Sequence, residues 1–281
     1  MNKRVLLLGA NGMLGRYVHK YLNEHNIEVY PITRKDADLS QDNFKIYIPF
    51  DLSDYIIVNC AGIIKSRKDV DPTEYIKVNS LIPHKLQELA ESAGTKLIHI
   101  TTDCVFNGLK PIIRNDEYYD GYLESDTHTP EDVYGKTKSL GEPENACNIR
   151  TSIIGEELEN KRSLIEWVKS NKQGKISGYN NHFWNGITCL QLAKVIHTII
   201  DQELYWKGVR HIFTPGKPCT KYLLLDYINY IYDLDIVIDK VNDRNYEHLN
   251  RTLKSNFKEN KIFNIPDIQK QIEEQAEYSN I

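Results

Sequence analysis

The apolar run Arg4-Val5-Leu6-Leu7-Leu8 passes directly into Gly9-Ala10-Asn11-Gly12-Met13-Leu14-Gly15. No other feature restricts the fold of this chain as strongly. The run has the continuous apolar character of a strand buried on both faces. After the glycines, Leu14, Val18 and Leu22 recur at the spacing of one helix stripe. Strand, G-x-x-G-x-x-G turn and helix, in that order, make the first half of a βαβ unit. Glycines there let the backbone approach a pyrophosphate, and the helix N-terminus stabilises its charge. Cofactor contacts are therefore expected at Gly9, Asn11, Gly12, Met13, Leu14 and Gly15.

The alternation continues downstream. Ile27 to Ile32 reads as a second strand, with Pro31 marking a strand end. Residues 36–54 fit either a short helix or a strand around Phe44 to Ile48. Tyr55 to Gly62 reads as a buried strand ending in the small residues Cys60, Ala61 and Gly62. Asp71 to Gly94 reads as a long helix that Pro83 can kink. Lys96 to Ile100 is the next strand, ending at Thr101-Thr102-Asp103, and Cys147 to Ile154 is another. The expected fold class is α/β: a Rossmann-type, doubly wound parallel sheet with a smaller α/β C-terminal substrate-binding region. Beyond residue 155 the pattern is less regular, with helices expected at Leu164–Lys172, Leu190–Ile200 and Tyr222–Tyr232 and a strand at His211–Phe213. The expected division is 1–154 plus about 188–214 for the Rossmann domain, and about 155–187 plus 215–281 for the substrate region.

Bulk properties exclude other classes. The chain has 281 residues, 41% of them hydrophobic and 26% charged, with a net charge of −4. There is no long basic block, which argues against nucleic acid as a partner. No apolar run approaches the ~18 residues that span a bilayer, which argues against a membrane role. The N-terminal run is too short for a secretory signal. Five scattered cysteines suggest free thiols in a reducing compartment, so a cytoplasmic location is expected. No Cys/His spacing fits a metal site.

Tyr134 and Lys138 stand at i, i+4 in Thr129-Pro130-Glu131-Asp132-Val133-Tyr134-Gly135-Lys136-Thr137-Lys138. Thr129 as N-cap and Pro130 at the first helical position predict a helix start there. The spacing puts phenol and ammonium on one face, where a fixed cation favours phenolate and suits a tyrosine to acid–base work. With 18 tyrosines in the chain, chance supplies about one or two such pairs, so context must decide. The loop from about 105 to 128 is long for a connection, and its Asp116, Glu117, Tyr118, Tyr119, Asp120 and Tyr122 fit a lid or a surface insertion equally. The second strand ends Ile32-Thr33-Arg34-Lys35, and the first acid, Asp36, comes after Arg34. A cation here suits the extra phosphate of NADP, which makes NADP(H) the expected cofactor, with NAD(H) the alternative.

Together these segments resemble the extended short-chain dehydrogenase/reductases, and within them the dTDP-4-dehydrorhamnose reductase family and related nucleotide-sugar reductases. The resemblance rests on Gly9, Gly12 and Gly15, on Asp38-Leu39, Asn59-Cys60-Ala61-Gly62 and Lys77-Val78-Asn79. It also rests on Thr101-Thr102-Asp103-Cys104-Val105-Phe106-Asn107-Gly108, on Tyr134-Gly135-Lys136-Thr137-Lys138 with Gly141-Glu142, and on Ile149-Arg150-Thr151-Ser152. Phe183-Trp184-Asn185-Gly186-Ile187-Thr188 and Asn250-Arg251-Thr252-Leu253 match the substrate region more loosely.

The resemblance implies NADPH-dependent reduction of the C4 carbonyl of a nucleotide-linked 4-keto-6-deoxysugar, for deoxysugar and polysaccharide biosynthesis. It implies catalytic roles for Tyr134, Lys138 and Thr102. Tyr134 would protonate the alkoxide, and Lys138 would hold the nicotinamide ribose and lower the phenol's pKa. It adds Arg34, Asp38, Leu39, Cys60, Ala61, Gly62, Asn79, Tyr134 and Lys138 to the cofactor contacts. It places Thr102, Asp103, Ile153, Trp184 and Asn185 at the substrate. Ile153 stands where bacterial rhamnose enzymes tend to have tryptophan, and Cys104 where the family often has tyrosine. A homodimer fits the same reading. The alternatives are a nucleotide-sugar epimerase of this fold, and a non-catalytic NADP-binding subunit like the regulatory partner of methionine adenosyltransferase.

Overall fold

The computed structural model describes residues 3–41, 51–65, 70–110, 120–158 and 161–279. The expectations for Phe44 to Ile48 and for residues 116–119 lie outside them. The elements of the first part are β1 (Arg4–Leu8), α1 (Met13–Glu24), β2 (Glu28–Ile32), β3 (Tyr55–Asn59), α2 (Pro72–Tyr75), α3 (Ile82–Ala93), β4 (Leu97–Thr102), α4 (Val133–Leu140) and β5 (Cys147–Thr151). The second part contains β6 (Ile153–Ile154), α5 (Leu164–Ser170), β7 (Lys175–Tyr179), β8 (His182–Trp184), β9 (Ile187–Thr188), α6 (Cys189–Asp201) and β10 (Gly208–His211). It ends with β11 (Cys219–Thr220), α7 (Lys221–Ile231), β12 (Val237–Val241), β13 (Leu249–Asn250) and α8 (Ile268–Ser279).

Six strands form one parallel sheet in the order β10-β5-β4-β3-β1-β2. The chain leaves β1 toward β2 on one side and returns to β3 on the other. That reversal opens a crevice beyond the carboxyl ends of β1 and β3, the usual ligand position in such sheets. Pro31 sits in β2, an edge strand, where its missing N–H costs the ladder least. The sheet is covered on both faces, as parallel sheets require. One apolar cluster joins Val5, Leu7, Val58, Ile98 and Ile149 to α1 and α6. A second joins Leu6, Leu8, Ile57 and Leu97 to Ile82, Leu86 and Ala90 of α3. Each fully buried Leu or Ile side chain contributes about 1.5–3 kcal/mol, so these two layers set the rigid frame beneath the crevice.

Three details differ from the sequence reading. The helix expected over Asp71–Gly94 contains a π-helical segment, Ile76–Leu81, between α2 and α3. It lies directly before Pro83, which has no N–H to return to the Asn79 carbonyl. The strand expected over Cys147–Ile154 divides at Ser152, and β6 pairs with β9 outside the main sheet. The short strands β7, β8, β11, β12 and β13, in two small sheets, had no legible pattern. They rest on a third apolar cluster that includes Ile165, Trp184, Leu224, Leu225 and Ile272.

Candidate active site

The glycine turn is shaped by close backbone approaches. Gly9 has φ +75°, and a Cβ there would lie 2.8 Å from the Ala61 nitrogen. A Cβ on Gly15 would lie 2.0 Å from the Gly9 carbonyl oxygen, so only glycine lets α1 start so close to the turn. Gly12 occupies the N-cap position of α1 with no side-chain cap and no acid in the first turn. The first N–H groups of α1 thus face outward unneutralised, the arrangement that attracts phosphate.

A crevice of about 210 Å³ opens in front of this turn. Of the expected cofactor residues, Gly9, Asn11, Gly12, Arg34, Asp38, Leu39, Cys60, Ala61 and Gly62 line it, together with Thr33, Ser40 and Ile63. Met13, Leu14 and Gly15 support the turn from behind; Leu14 is buried and Met13 packs near Gly155. Asn79 does not border the crevice. Its amide binds both backbone groups of Ile63, at 2.9 Å each, and so pins the Gly62-Ile63 edge.

The acids at the end of β2 are already engaged. Asp36 accepts from the Thr33 N–H at 2.8 Å and from its hydroxyl at 2.6 Å. Asp38 accepts from the Ser40 N–H and hydroxyl, and Arg34 Nη2 stands 3.4 Å from its other oxygen. Burial works to raise the Asp38 pKa, but the Ser40 bonds and the Arg34 charge outweigh it, and the carboxyl stays below its ordinary range. Arg34 is 57% exposed and has donors to spare.

Thr102, Asp103, Tyr134 and Lys138 do not line this crevice; beyond its Gly62 edge, β4 delivers Thr102 and Asp103 into a short 3₁₀ turn, Asp103–Val105. Thr102 Oγ1 lies 3.2 Å from Asp103 Oδ1 and accepts from the Cys104 N–H at 3.2 Å. The helix carrying Tyr134 starts later than the sequence suggested. Its N-cap is Asp132, which accepts from the Gly135 N–H at 2.8 Å. Thr129 instead accepts from the Asn107 N–H and ties the preceding loop to Val105. A Cβ on Gly135 would lie 2.3 Å from the Cys104 carbonyl oxygen. The glycine after Tyr134 is therefore what seats α4 against the turn that holds Thr102.

Tyr134, half-buried, stands beside Thr102. Lys138, buried, donates to the Ile100 carbonyl at 2.8 Å and lies near Gly62. The expected effect of Lys138 on the phenol is corrected by these surroundings. Burial raises the Tyr134 pKa above 10, with Cys104 and Asp103 adding to it and only the neighbouring Thr102 side chain opposing. Burial lowers Lys138 to about 8, against the influence of Glu142 and Cys60. The phenol is thus held in its protonated form, while the ammonium keeps most of its charge at neutral pH. Burial also raises the Asp103 pKa, opposed by Arg251 and by the neighbouring Thr102, Cys104 and Ser152 side chains.

The remaining expected substrate residues have structural partners. Trp184 is buried and donates from Nε1 to Ser152 Oγ at 2.8 Å. Asn185 is buried, and both ends of its amide bind the Leu253 backbone, at 2.8 and 2.9 Å. Their polar groups are engaged with Ser152 and Leu253, and both brace the region around the site. Ile153 is half-buried and packs against the main core. Lys65, Ser152, Lys221 and Arg251 reach the surroundings of Asp103 and Cys104 without having been singled out as site residues. Ser152 and Arg251 lie in segments that the resemblance covers, whereas no local pattern marks Lys65 or Lys221, which tertiary packing brings there. Among the described residues no cluster of His, Cys, Asp and Glu could hold a metal ion, and no helix is long and apolar enough to cross a membrane.

Comparison with known proteins agrees with this architecture. The methionine adenosyltransferase 2 subunit beta of Pongo abelii is 30% identical over 236 residues, covering 74% of this chain and 67% of the relative. The dTDP-4-keto-6-deoxy-D-glucose reductase of Streptomyces niveus is 30% identical over 165 residues, covering 55% of this chain and 54% of the relative. The crystal structure of dTDP-4-dehydrorhamnose reductase from Bacillus anthracis, in complex with NADP, superposes with a TM-score of 0.76 at 20% identity, over 98% of this chain and 99% of that one. The model of the RmlD substrate binding domain matches residues 3–225. With that match spanning both the glycine crevice and the Tyr134 helix, the chain belongs to the RmlD substrate binding domain family, within the extended short-chain dehydrogenase/reductases.

Proposed function

We propose that this protein is an NADPH-dependent reductase acting on the C4 carbonyl of a nucleotide-linked 4-keto-6-deoxysugar. One observation carries the reading: Tyr134 stands beside Thr102 at the end of β4, Lys138 reaches the Ile100 carbonyl of the same strand, and both lie beyond the Gly62 edge of a crevice built for a dinucleotide. The glycine turn, the uncapped α1 and the exposed Arg34 fit NADP(H), with Arg34 facing the extra phosphate. Asp36 cannot easily serve a ribose hydroxyl, because it closes its own turn on Thr33. The bound cofactor supplies hydride to the carbonyl carbon. Thr102 donates a hydrogen bond to the carbonyl oxygen, and Tyr134 transfers its phenolic proton to that oxygen as negative charge develops. A raised phenol pKa suits this direction, since reduction needs the protonated acid. Lys138 holds the nicotinamide ribose and keeps a positive charge beside the site. Residues 1–154 with about 188–214 form the cofactor-binding unit in this reading, and the rest holds the sugar nucleotide.

A second reading is favoured by the subunit-beta relatives: a cofactor-binding regulatory partner of a methionine adenosyltransferase. Turnover separates the two. NADPH oxidation measured with a panel of 4-keto-6-deoxy nucleotide sugars is expected to proceed, and to fall by about 10³-fold in Tyr134→Phe. Absence of turnover with every keto sugar, together with tight binding to a methionine adenosyltransferase, would favour the subunit.

A further inference from the structure

The backbone that leaves the cofactor crevice runs along the helix carrying Tyr134. Gly62 and Ile63 line the crevice, and Ile64 and Lys65 continue beyond it. The stretch is tied down at close intervals. Asn59 Oδ1 accepts from the Ala61 N–H at 3.1 Å, the Asn79 amide holds both backbone groups of Ile63, and Tyr75 Oη donates to the Ile64 carbonyl at 3.0 Å. A Cβ on Gly62 would lie 3.8 Å from Lys138 Nζ, so the stretch begins beside the second half of α4. In its middle, Ile63 forms an apolar cluster with Tyr75 and Val78, and Tyr134 packs against that cluster. At its far end, Lys65 Nζ stands 2.6 Å from Oδ2 of Asp132, the α4 N-cap. The lengths agree. Three residues of extended chain reach about 10 Å, and the helix rises about 9 Å from Asp132 to Lys138.

The tie at Lys65 differs from the others in being ionic and open to solvent, with the lysine 61% exposed. The Asp132 carboxylate serves both sides of it. Oδ1 accepts from the Gly135 N–H at 2.8 Å and so fixes where α4 begins, while Oδ2 takes the lysine and fixes where the crevice edge ends. We propose that Lys65 and Asp132 form a latch that sets the register between the cofactor crevice and α4, which makes them positioning residues for proton transfer by Tyr134. The latch acts through Ile63, which lies in the crevice wall and in the cluster that Tyr134 packs against. An exposed ion pair changes an equilibrium by about fivefold at most, so the latch tunes the site and does not build it. The effect on rate rests on the reductase reading, whereas the effect on α4 is measurable without turnover.

The test compares the wild type, Lys65→Met, Asp132→Asn and the double variant, each as the full chain saturated with NADPH. Methionine keeps the apolar stem and asparagine keeps the cap, so each single variant removes the ion pair alone. Amide hydrogen exchange over the first turn of α4 is expected to quicken about threefold to fivefold in either single variant, and no further in the double variant. With a 4-keto-6-deoxy nucleotide sugar, kcat falls by a similar factor and Lys65→Arg restores it. Salt at about 0.5 M brings the wild-type kcat toward that of the variants and leaves theirs unchanged. Unchanged exchange in Lys65→Met, or losses that add in the double variant, would overturn the latch. Turnover with a Lys65-independent kcat sinks the positioning role and leaves the reductase reading. Quickened, non-additive exchange without turnover of any keto sugar keeps the latch and sinks that reading.

Discussion

Two buried polar clusters flank the carboxyl ends of β4 and β5, and they are built on opposite principles. Around Arg150, every polar group has a partner. Its guanidinium forms two bonds to Glu142, at 3.0 and 2.6 Å, and donates to His211 Nε2 at 2.8 Å and His128 Nε2 at 2.7 Å. Both histidines are held below their ordinary pKa, first by burial and then by Arg150, so each offers a lone pair to it. His211 donates from Nδ1 to the carbonyls of Tyr122 and Lys254, His128 shares a proton with Ser139, and Thr101 closes the ring on Glu142. The cluster ties α4, β5, β10 and the 250–254 segment into one unit. Around Tyr134 the pairing is sparse. Lys138 has a single carbonyl, the Tyr134 phenol has no hydrogen bond among the described residues, and burial drives both toward their neutral forms. Complete pairing makes a brace; incomplete pairing leaves groups whose remaining bonds a ligand can take.

The contrast can be broken by substitution. Tyr134→Phe is expected to remove catalysis by about 10³-fold while leaving the urea unfolding midpoint unchanged; a large stability loss would make Tyr134 a second brace. Arg150→Met should do the reverse in kind, losing roughly 3–5 kcal/mol of stability because Glu142 is left buried and unpaired. Equilibrium urea unfolding measures this, and a loss under about 1 kcal/mol would show that the hub is dispensable.

The pH profile sharpens the same contrast. As Lys138 titrates near 8, kcat/KM should fall as pH rises through that value, and Lys138→Met should abolish this limb. The stability linkage has the opposite sign. Between about 8 and the ordinary 10.5 the unfolded chain holds the proton that the folded chain has released. The cost of burying this charge, full below about pH 8, is therefore relieved as pH rises through that window. The smallest effect is expected at the crevice. Arg34→Ala should weaken NADPH by about tenfold, one exposed charge-assisted contact, and NADH hardly at all; equal losses for both would remove Arg34 from cofactor choice.

Much of the site was readable because its chemistry is local. The glycine turn announces itself through strand, glycines and helix within a few residues. Tyr134 and Lys138 share a face because a helix repeats every 3.6 residues. The start of α4 was misread at Thr129 because Asp132 competes as a cap, and only the Gly135 bond decides. That Ser152 and Leu253 take the polar groups of Trp184 and Asn185 was not legible, because those partners lie 32 and 68 residues away in sequence.

The sequence by itself determined a parallel α/β sheet, a pyrophosphate-binding turn and a Tyr–Lys pair on one helix face, since each follows from short-range periodicity and glycine sterics. Only the tertiary structure decided which polar residues complete each other and which are left open. The Arg150 brace joins residues 101, 128, 142 and 211. Burial and long-range proximity set those charges, and neither is written in the spacing along the chain.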